Sequence, residues 1–142
     1  MNHQVFISYS SKDRNVADKV LAMLESRNIK CWMAPRDIIG GVEYGDVIDK
    51  AILNCKAVVV IFSAYSQQSQ WVKGELNLGF SYHKAIVPYR IDDTVLQGAM
   101  RLMLNDKHWI DANPSTDYKW NDLLEAVAVA LEISMPEQVA SP

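Results

Sequence analysis

The chain has 142 residues, enough for one domain that buries its own core. Hydrophobic residues make up 49% and charged residues 22%, and no apolar run approaches the ~18 residues of a membrane span. A net charge of −3 gives no electrostatic reason to expect nucleic acid or an anionic membrane as partner.

The opening Met-Asn-His-Gln has no basic stretch leading into an apolar one, so a cytoplasmic setting is expected. Cys31 and Cys55 lack the paired spacing of a zinc site or a disulfide framework and are expected as buried thiols in a reducing compartment. From the N-terminus, short β-rich runs alternate with helical periodicity, which predicts a parallel sheet covered on both faces. Gln4 to Ser8 is a first strand, and Ser10 with Asp13 has the form of a capping box opening a helix. That helix carries Val16, Val20, Met23 and Leu24 on one face, flanked by Ala17 and Leu21, until Asn28 ends it. Ile29 to Met33 is a second strand. Pro35 and the Gly40-Gly41 pair rule out regular structure from Ala34 to Tyr44, and a loop of about ten residues in a compact domain is more often functional than idle. Asp46 then caps a helix with Ile48, Ala51, Ile52 and Cys55 inward. The apolar run from Lys56 to Ser63 is predicted as the central strand.

The next helix, reaching about His83, holds the most informative pair of the chain. Trp71 and Glu75, in Ser69-Gln-Trp-Val-Lys-Gly-Glu75, share one helix face a single turn apart. Their helix follows a buried strand, and in open α/β sheets ligands sit beyond the carboxyl ends of the strands. A fourth strand, Ala85 to Tyr89, contains Pro88, which argues for a strand end or an edge. Gly98 to Leu104 is a short helix and Lys107 to Ile110 a fifth strand. Asn113-Pro-Ser-Thr116 starts the last helix, with Trp120, Leu123, Leu124, Val127, Ala130 and Leu131 inward. The organisation is one domain over residues 1–134, with 135–142 as a flexible tail or the start of a linker.

Three blocks in this order resemble Toll/interleukin-1 receptor (TIR) domains. Val5-Phe-Ile-Ser-Tyr-Ser-Ser-Lys-Asp13 is similar to their first box. Cys31-Trp-Met-Ala-Pro-Arg-Asp-Ile-Ile-Gly-Gly41, followed by Ile48 to Ile52, is similar to their second strand, BB loop and second helix. Ser69 to Glu75 resembles the glutamate-bearing helix of enzymatic members. Arg90-Ile-Asp92 and His108-Trp-Ile-Asp111 resemble bacterial and archaeal members more than animal receptors. The resemblance implies a flavodoxin-like three-layer α/β sandwich, with five parallel strands in the order 2-1-3-4-5 and helices on both faces. It implies one of two jobs: cleavage of NAD+ at the nicotinamide–ribose bond, with cyclisation of ADP-ribose in some members, or assembly without chemistry.

By the same resemblance Glu75 is the catalytic residue. A carboxylate beside the ribose can bond its hydroxyls, stabilise the oxocarbenium-like centre, attack it, or deprotonate the acceptor. Nicotinamide departs without a proton, so no dedicated acid is required. Candidates for substrate binding are Phe6, Ser8, Tyr9 and Ser10 at the end of the first strand, with Trp32, Arg36, Asp37 and Trp71. The plain alternatives are core packing for Phe6, Trp32 and Trp71, turn and cap for Ser8 and Ser10, and a solvated salt bridge for Arg36 and Asp37. Ile38, Ile39, Gly40, Gly41 and Tyr44 are candidates for the assembly loop, which in the family completes a neighbour's pocket head to tail. Ala34 departs from some catalytic relatives, which carry an acidic residue there to hold the substrate.

No cofactor and no metal are expected. Gly40-Gly41 is not followed by the lysine of a phosphate-binding loop, and His3, His83 and His108 have no ligand spacing. NAD+ is the expected partner, as a consumed substrate, together with further copies of the chain and a fused or separate ligand-sensing domain. The expected function is an NAD+ glycohydrolase or cyclase of prokaryotic antiphage defence or signalling, activated by self-assembly. The alternative is a non-enzymatic scaffold working through residues 34–45. Ser63 at the end of the third strand argues against a phosphoacceptor receiver, which needs an aspartate there. A nucleoside deoxyribosyltransferase would share glycosidic chemistry at a glutamate.

Overall fold

The computed structural model describes residues 3–34 and 44–134. Its strands are β1 (Val5–Ser8), β2 (Cys31–Trp32), β3 (Ala57–Phe62), β4 (Ala85–Arg90) and β5 (Ile110–Asp111). They form one parallel sheet in the order β2-β1-β3-β4-β5. The helices are α1 (Arg14–Ser26), α2 (Tyr44–Asn54), α3 (Ala64–Gln68), α4 (Gln70–Ser81), α5 (Gly98–Leu104) and α6 (Trp120–Leu131). This is the flavodoxin-like arrangement, in which the order reverses between β1 and β3 and opens a crevice at their carboxyl ends.

Alternation along the strands sorts the core into two halves. Val5, Ile7, Val59, Ile61, Val87 and Tyr89 pack under α1 and α6, against Ala17, Val20, Leu24, Leu123, Leu124, Val127 and Leu131. Phe6, Val58, Val60, Phe62 and Ile86 face the other way, against Ile48 and Ile52 of α2, Val72 and Leu76 of α4, and Met100 and Leu104 of α5. All six residues of β3 are buried, as a strand covered on both faces requires. The inward stripe of α1 is centred on Ala17, Val20, Leu21 and Leu24, leaving Val16 and Met23 only partly covered. Likewise Trp120 and Ala130 are partly buried on α6, and Ala128 takes a core position the periodicity did not assign.

Several local expectations change for identifiable reasons. Ser10 caps a short 3₁₀ turn, Ser11–Asp13, but Asp13 does not complete a capping box. Its carboxylate turns inward and accepts a hydrogen bond from the Ser63 hydroxyl, joining the end of β1 to the end of β3. The capping box forms instead at α3, an additional short helix, where Ser63 accepts from Ser66 N and the Ser66 hydroxyl accepts from Ser63 N. Asp46 lies in the first turn of α2, which begins at Tyr44, and so is not its cap. Asn113 to Asp117 form a hydrogen-bonded turn, and α6 starts only at Trp120.

Pro88 sits in an inner strand, contrary to the edge expectation. Ile91 N–H donates to Phe62 O, so alternation points the nitrogen of residue 88 away from β3, toward the β5 flank. Pairing with β5 begins only at Tyr89, so the missing donor falls where no partner strand needs it.

Candidate active site

At the carboxyl end of the sheet a cleft of about 270 Å³ opens between the exit of β1, α2 and the first turns of α4. Ile7, Tyr9, Ser10, Ser11, Ala34, Tyr44, Ile48, Ser69, Trp71 and Glu75 line it. Ser69 caps α4 by accepting from Val72 N, and the helix then descends along the sheet. Trp71 in the first turn therefore sits at the mouth, 53% exposed, while Glu75 one turn on is only 7% exposed. Shared helical spacing delivers both groups to one cleft at different depths.

Glu75 is flanked on its helix by Val72 and Leu76, both in the core. Burial pushes its carboxyl group from an ordinary value of 4.5 up to about 7, partly opposed by a hydrogen bond from Ser8. Ser8 is fully buried and donates to Glu75 Oε1 at 2.6 Å. No other carboxylate and no cationic side chain lines the cleft among the described residues. The Tyr9 hydroxyl donates to the Ala34 carbonyl, tying the ends of β1 and β2 together at the rim. Burial raises the Tyr9 phenol above its usual proton affinity, with Arg14 acting the other way.

Tyr44 and Trp71 meet edge to face across the mouth, with ring centroids 6.3 Å apart, and Tyr44 is 49% exposed. Two half-open aromatic rings above a buried carboxylate offer a flat apolar surface at the mouth and one polar group at the base of the cleft. The Asp13–Ser63 bond stands behind this arrangement, because it fixes the β1 exit against the start of α3 and so against α4. Burial raises the Asp13 carboxyl above its ordinary value, and the Ser63 hydroxyl offsets part of that shift.

Of the residues expected to bind substrate, Tyr9, Ser10 and Trp71 line the cleft with Glu75. Ser8 lies behind it, bonded to Glu75. Phe6 and Trp32 do not reach it. They stack on each other in the core, 5.1 Å apart and 15° from parallel, at 1% and 5% exposure. Tyr44, assigned to the assembly loop, stands on α2 as part of the cleft wall. Arg36, Asp37, Ile38, Ile39, Gly40 and Gly41 lie outside the described residues. Ile7, Ser11, Ile48 and Ser69 are lining residues that the sequence does not single out as site residues. For Ser69 a signal was present, since it occupies the N-cap position of the Trp71–Glu75 helix.

A larger groove, about 650 Å³, runs between β4, β5 and α6. Its ionisable side chains (His108, Asp111, Lys119, Asp122 and Glu125) are all exposed, so size alone does not make it the reactive site.

The family model of the TIR domain matches residues 5–127. The chain belongs to the TIR domain family. A relative, a stimulator of interferon genes protein from Magallana gigas, is 37% identical over 75 residues, which is 52% of this TIR domain's chain and 18% of that protein. The chain thus spans less than a fifth of that relative's length, 18%. Among solved structures, the TIR domain of the Toll-related receptor TRR-2 from the lower metazoan Hydra magnipapillata is similar in fold. It is 22% identical, with a TM-score of 0.72 over 89% of this chain and 98% of its own. A metazoan TIR-STING receptor from C. gigas is 25% identical, with a TM-score of 0.69 over 89% of this chain and 40% of that one.

Proposed function

We propose that this TIR domain cleaves NAD+ at the nicotinamide–ribose bond, with Glu75 acting on the ribose as nicotinamide leaves. The observation that supports this most is a buried carboxylate of raised proton affinity in a cleft whose mouth carries the exposed rings of Trp71 and Tyr44. The pyridinium ring stacks at the mouth and the ribose hangs below it toward Glu75. As the C–N bond breaks, positive charge develops on the sugar, and an ionised carboxylate in a poorly solvated site stabilises it far more than one in water. The product is ADP-ribose or a cyclic isomer. NAD+ enters as a substrate to be consumed, with no resident cofactor or metal.

The described lining offers no cation for the diphosphate. Arg36, from the same chain or a neighbour, supplies it in this reading, and self-association through residues 34–45 completes the pocket. A cytoplasmic role in prokaryotic antiphage defence or signalling, coupled to a ligand-sensing domain, belongs to the same proposal.

Free nicotinamide, followed with concentrated protein and NAD+, tests the assignment. Release by wild type and none by Glu75→Ala is expected. Equal release by both would remove Glu75 from the chemistry, and no release by either would leave a TIR domain that only assembles. The pH dependence carries its own sign. If the ionised carboxylate is the working form, the rate rises about tenfold per unit up to about pH 7 and levels above it. A rate that falls over that range contradicts the role. Trp71→Ala is expected to raise KM about tenfold, a ring-stacking contribution of roughly 1–3 kcal/mol. Because Trp71 is 53% exposed, the melting temperature should hardly move, and Trp71→Phe should recover most of the affinity.

A further inference from the structure

We infer that Ser8 is a positioning residue for Glu75 and not a ligand of the substrate: it grips one carboxylate oxygen from behind the cleft and holds the group in its ionised form. The inference deepens the proposed reading of the Glu75 site and rests on it. It begins with strand alternation. Phe6 and Ser8 share the face of β1 that looks toward α2 and α4, and Phe6 fills the core there. The next position outward on that face comes beneath α4, where a serine in place of an apolar residue meets Glu75 Oε1 at 2.6 Å.

Ser8 is fully buried behind the cleft wall, and its hydroxyl proton is committed to Glu75. A hydroxyl that donates to a carboxylate bonds the ionised form more strongly than the neutral acid. Burial among Val72, Leu76 and their neighbours drives Glu75 toward the neutral acid, and the Ser8 bond works against that drive. The other ionisable groups on the cleft wall are Tyr9, from the β1 exit, and Tyr44, from α2. Neither carries positive charge, and no lysine, arginine or histidine lines the cleft among the described residues. Among the described residues Ser8 is therefore the group placed to keep a buried carboxylate reactive near neutral pH. With Oε1 occupied from behind, Oε2 is the oxygen left to meet the ribose.

The test is Ser8→Ala in the full chain, read in two ways. Titration of the Glu75 carboxyl carbon by NMR, without NAD+, should shift upward by about one unit, as the loss of a charge-assisted hydrogen bond implies. The pH–rate profile of NAD+ cleavage should move with it. About a tenfold loss is expected near pH 6 and no more than about twofold near pH 9, with KM unchanged. Ser8→Thr keeps the hydroxyl and should retain the wild-type profile. If the added methyl unfolds it, Ser8→Cys, a weaker donor, should fall between wild type and alanine. A raised KM with an unmoved profile would instead make Ser8 a substrate ligand and overturn the inference. So would an unchanged Glu75 titration. A wild type that leaves NAD+ intact while the carboxyl still shifts in Ser8→Ala supports the role of Ser8 and defeats the glycohydrolase reading separately.

Discussion

Glu75→Gln should lose NAD+ cleavage by on the order of a thousandfold and yet melt at a higher temperature than wild type above about pH 7. The two effects share one cause. Glutamine fills the same volume, and its amide oxygen still accepts from Ser8, but it carries no charge to desolvate. In wild type the carboxyl group ionises near 4.5 when unfolded and near 7 when folded. Between those values the folded protein holds a proton that the unfolded chain has released. Stability therefore falls as pH rises through that window, by on the order of 3 kcal/mol in total, and stays low above it. Glutamine removes this loss, which for a domain of this size corresponds to a melting temperature about 5–10 °C higher. Near pH 4.5 the two proteins should melt together. Thermal melts across pH decide it, and identical curves at every pH would mean that Glu75 is solvated and its proton affinity ordinary.

Phe6→Ala should be among the most destabilising single substitutions in the protein, at about 3–5 kcal/mol. Phe6 is 1% exposed, stacked on Trp32 at 5.1 Å, and packed with Val58, Val60 and Ile48. Its removal forfeits the transfer free energy of the ring, the stacking contact and the filled space below Glu75. The milder Phe6→Leu keeps most of the volume. It should recover much of the stability and leave KM for NAD+ within about twofold. A KM that rises sharply in a well-folded Phe6→Leu would mean that the ring meets the nicotinamide after all.

The strands were legible because their signals are local, whereas their order in the sheet followed from the family resemblance. The apolar run from Lys56 to Ser63, bounded by polar residues and rich in valine, has the composition of a strand buried on both faces, and helical spacing marks the presence of α1, α4 and α6, though not every core position or the start of α6. Glu75 and Trp71 were legible for the same reason, since one helix carries both and its pitch brings them to one side. What escaped depends on contacts across the fold. The Ser8–Glu75 bond joins residues 67 apart, and nothing in either local segment announces it. The Asp13–Ser63 bond spans 50 residues, and Asp13 had a competing local reading as half of a capping box. Phe6 and Trp32 have the composition of either a core or a stacking platform, and their burial in the cluster that holds Ile48 and Ile52 of α2 decides in favour of the core. Tyr44 is expected as the last residue of an irregular segment, but it opens α2 and so faces Trp71. For Pro88 the missing donor by itself argues for a strand end or an edge, whereas only one flank of the strand has to lack a partner at that residue.

The most direct measurement is a chromatographic inventory of NAD+ incubated with concentrated wild-type protein near pH 8, under conditions that force self-association, with Glu75→Gln in parallel. The account predicts nicotinamide in equal amount to ADP-ribose or its cyclic isomer from wild type, and an untouched NAD+ peak from the variant. An intact NAD+ peak from assembled wild type, or the same products from both proteins, would contradict it.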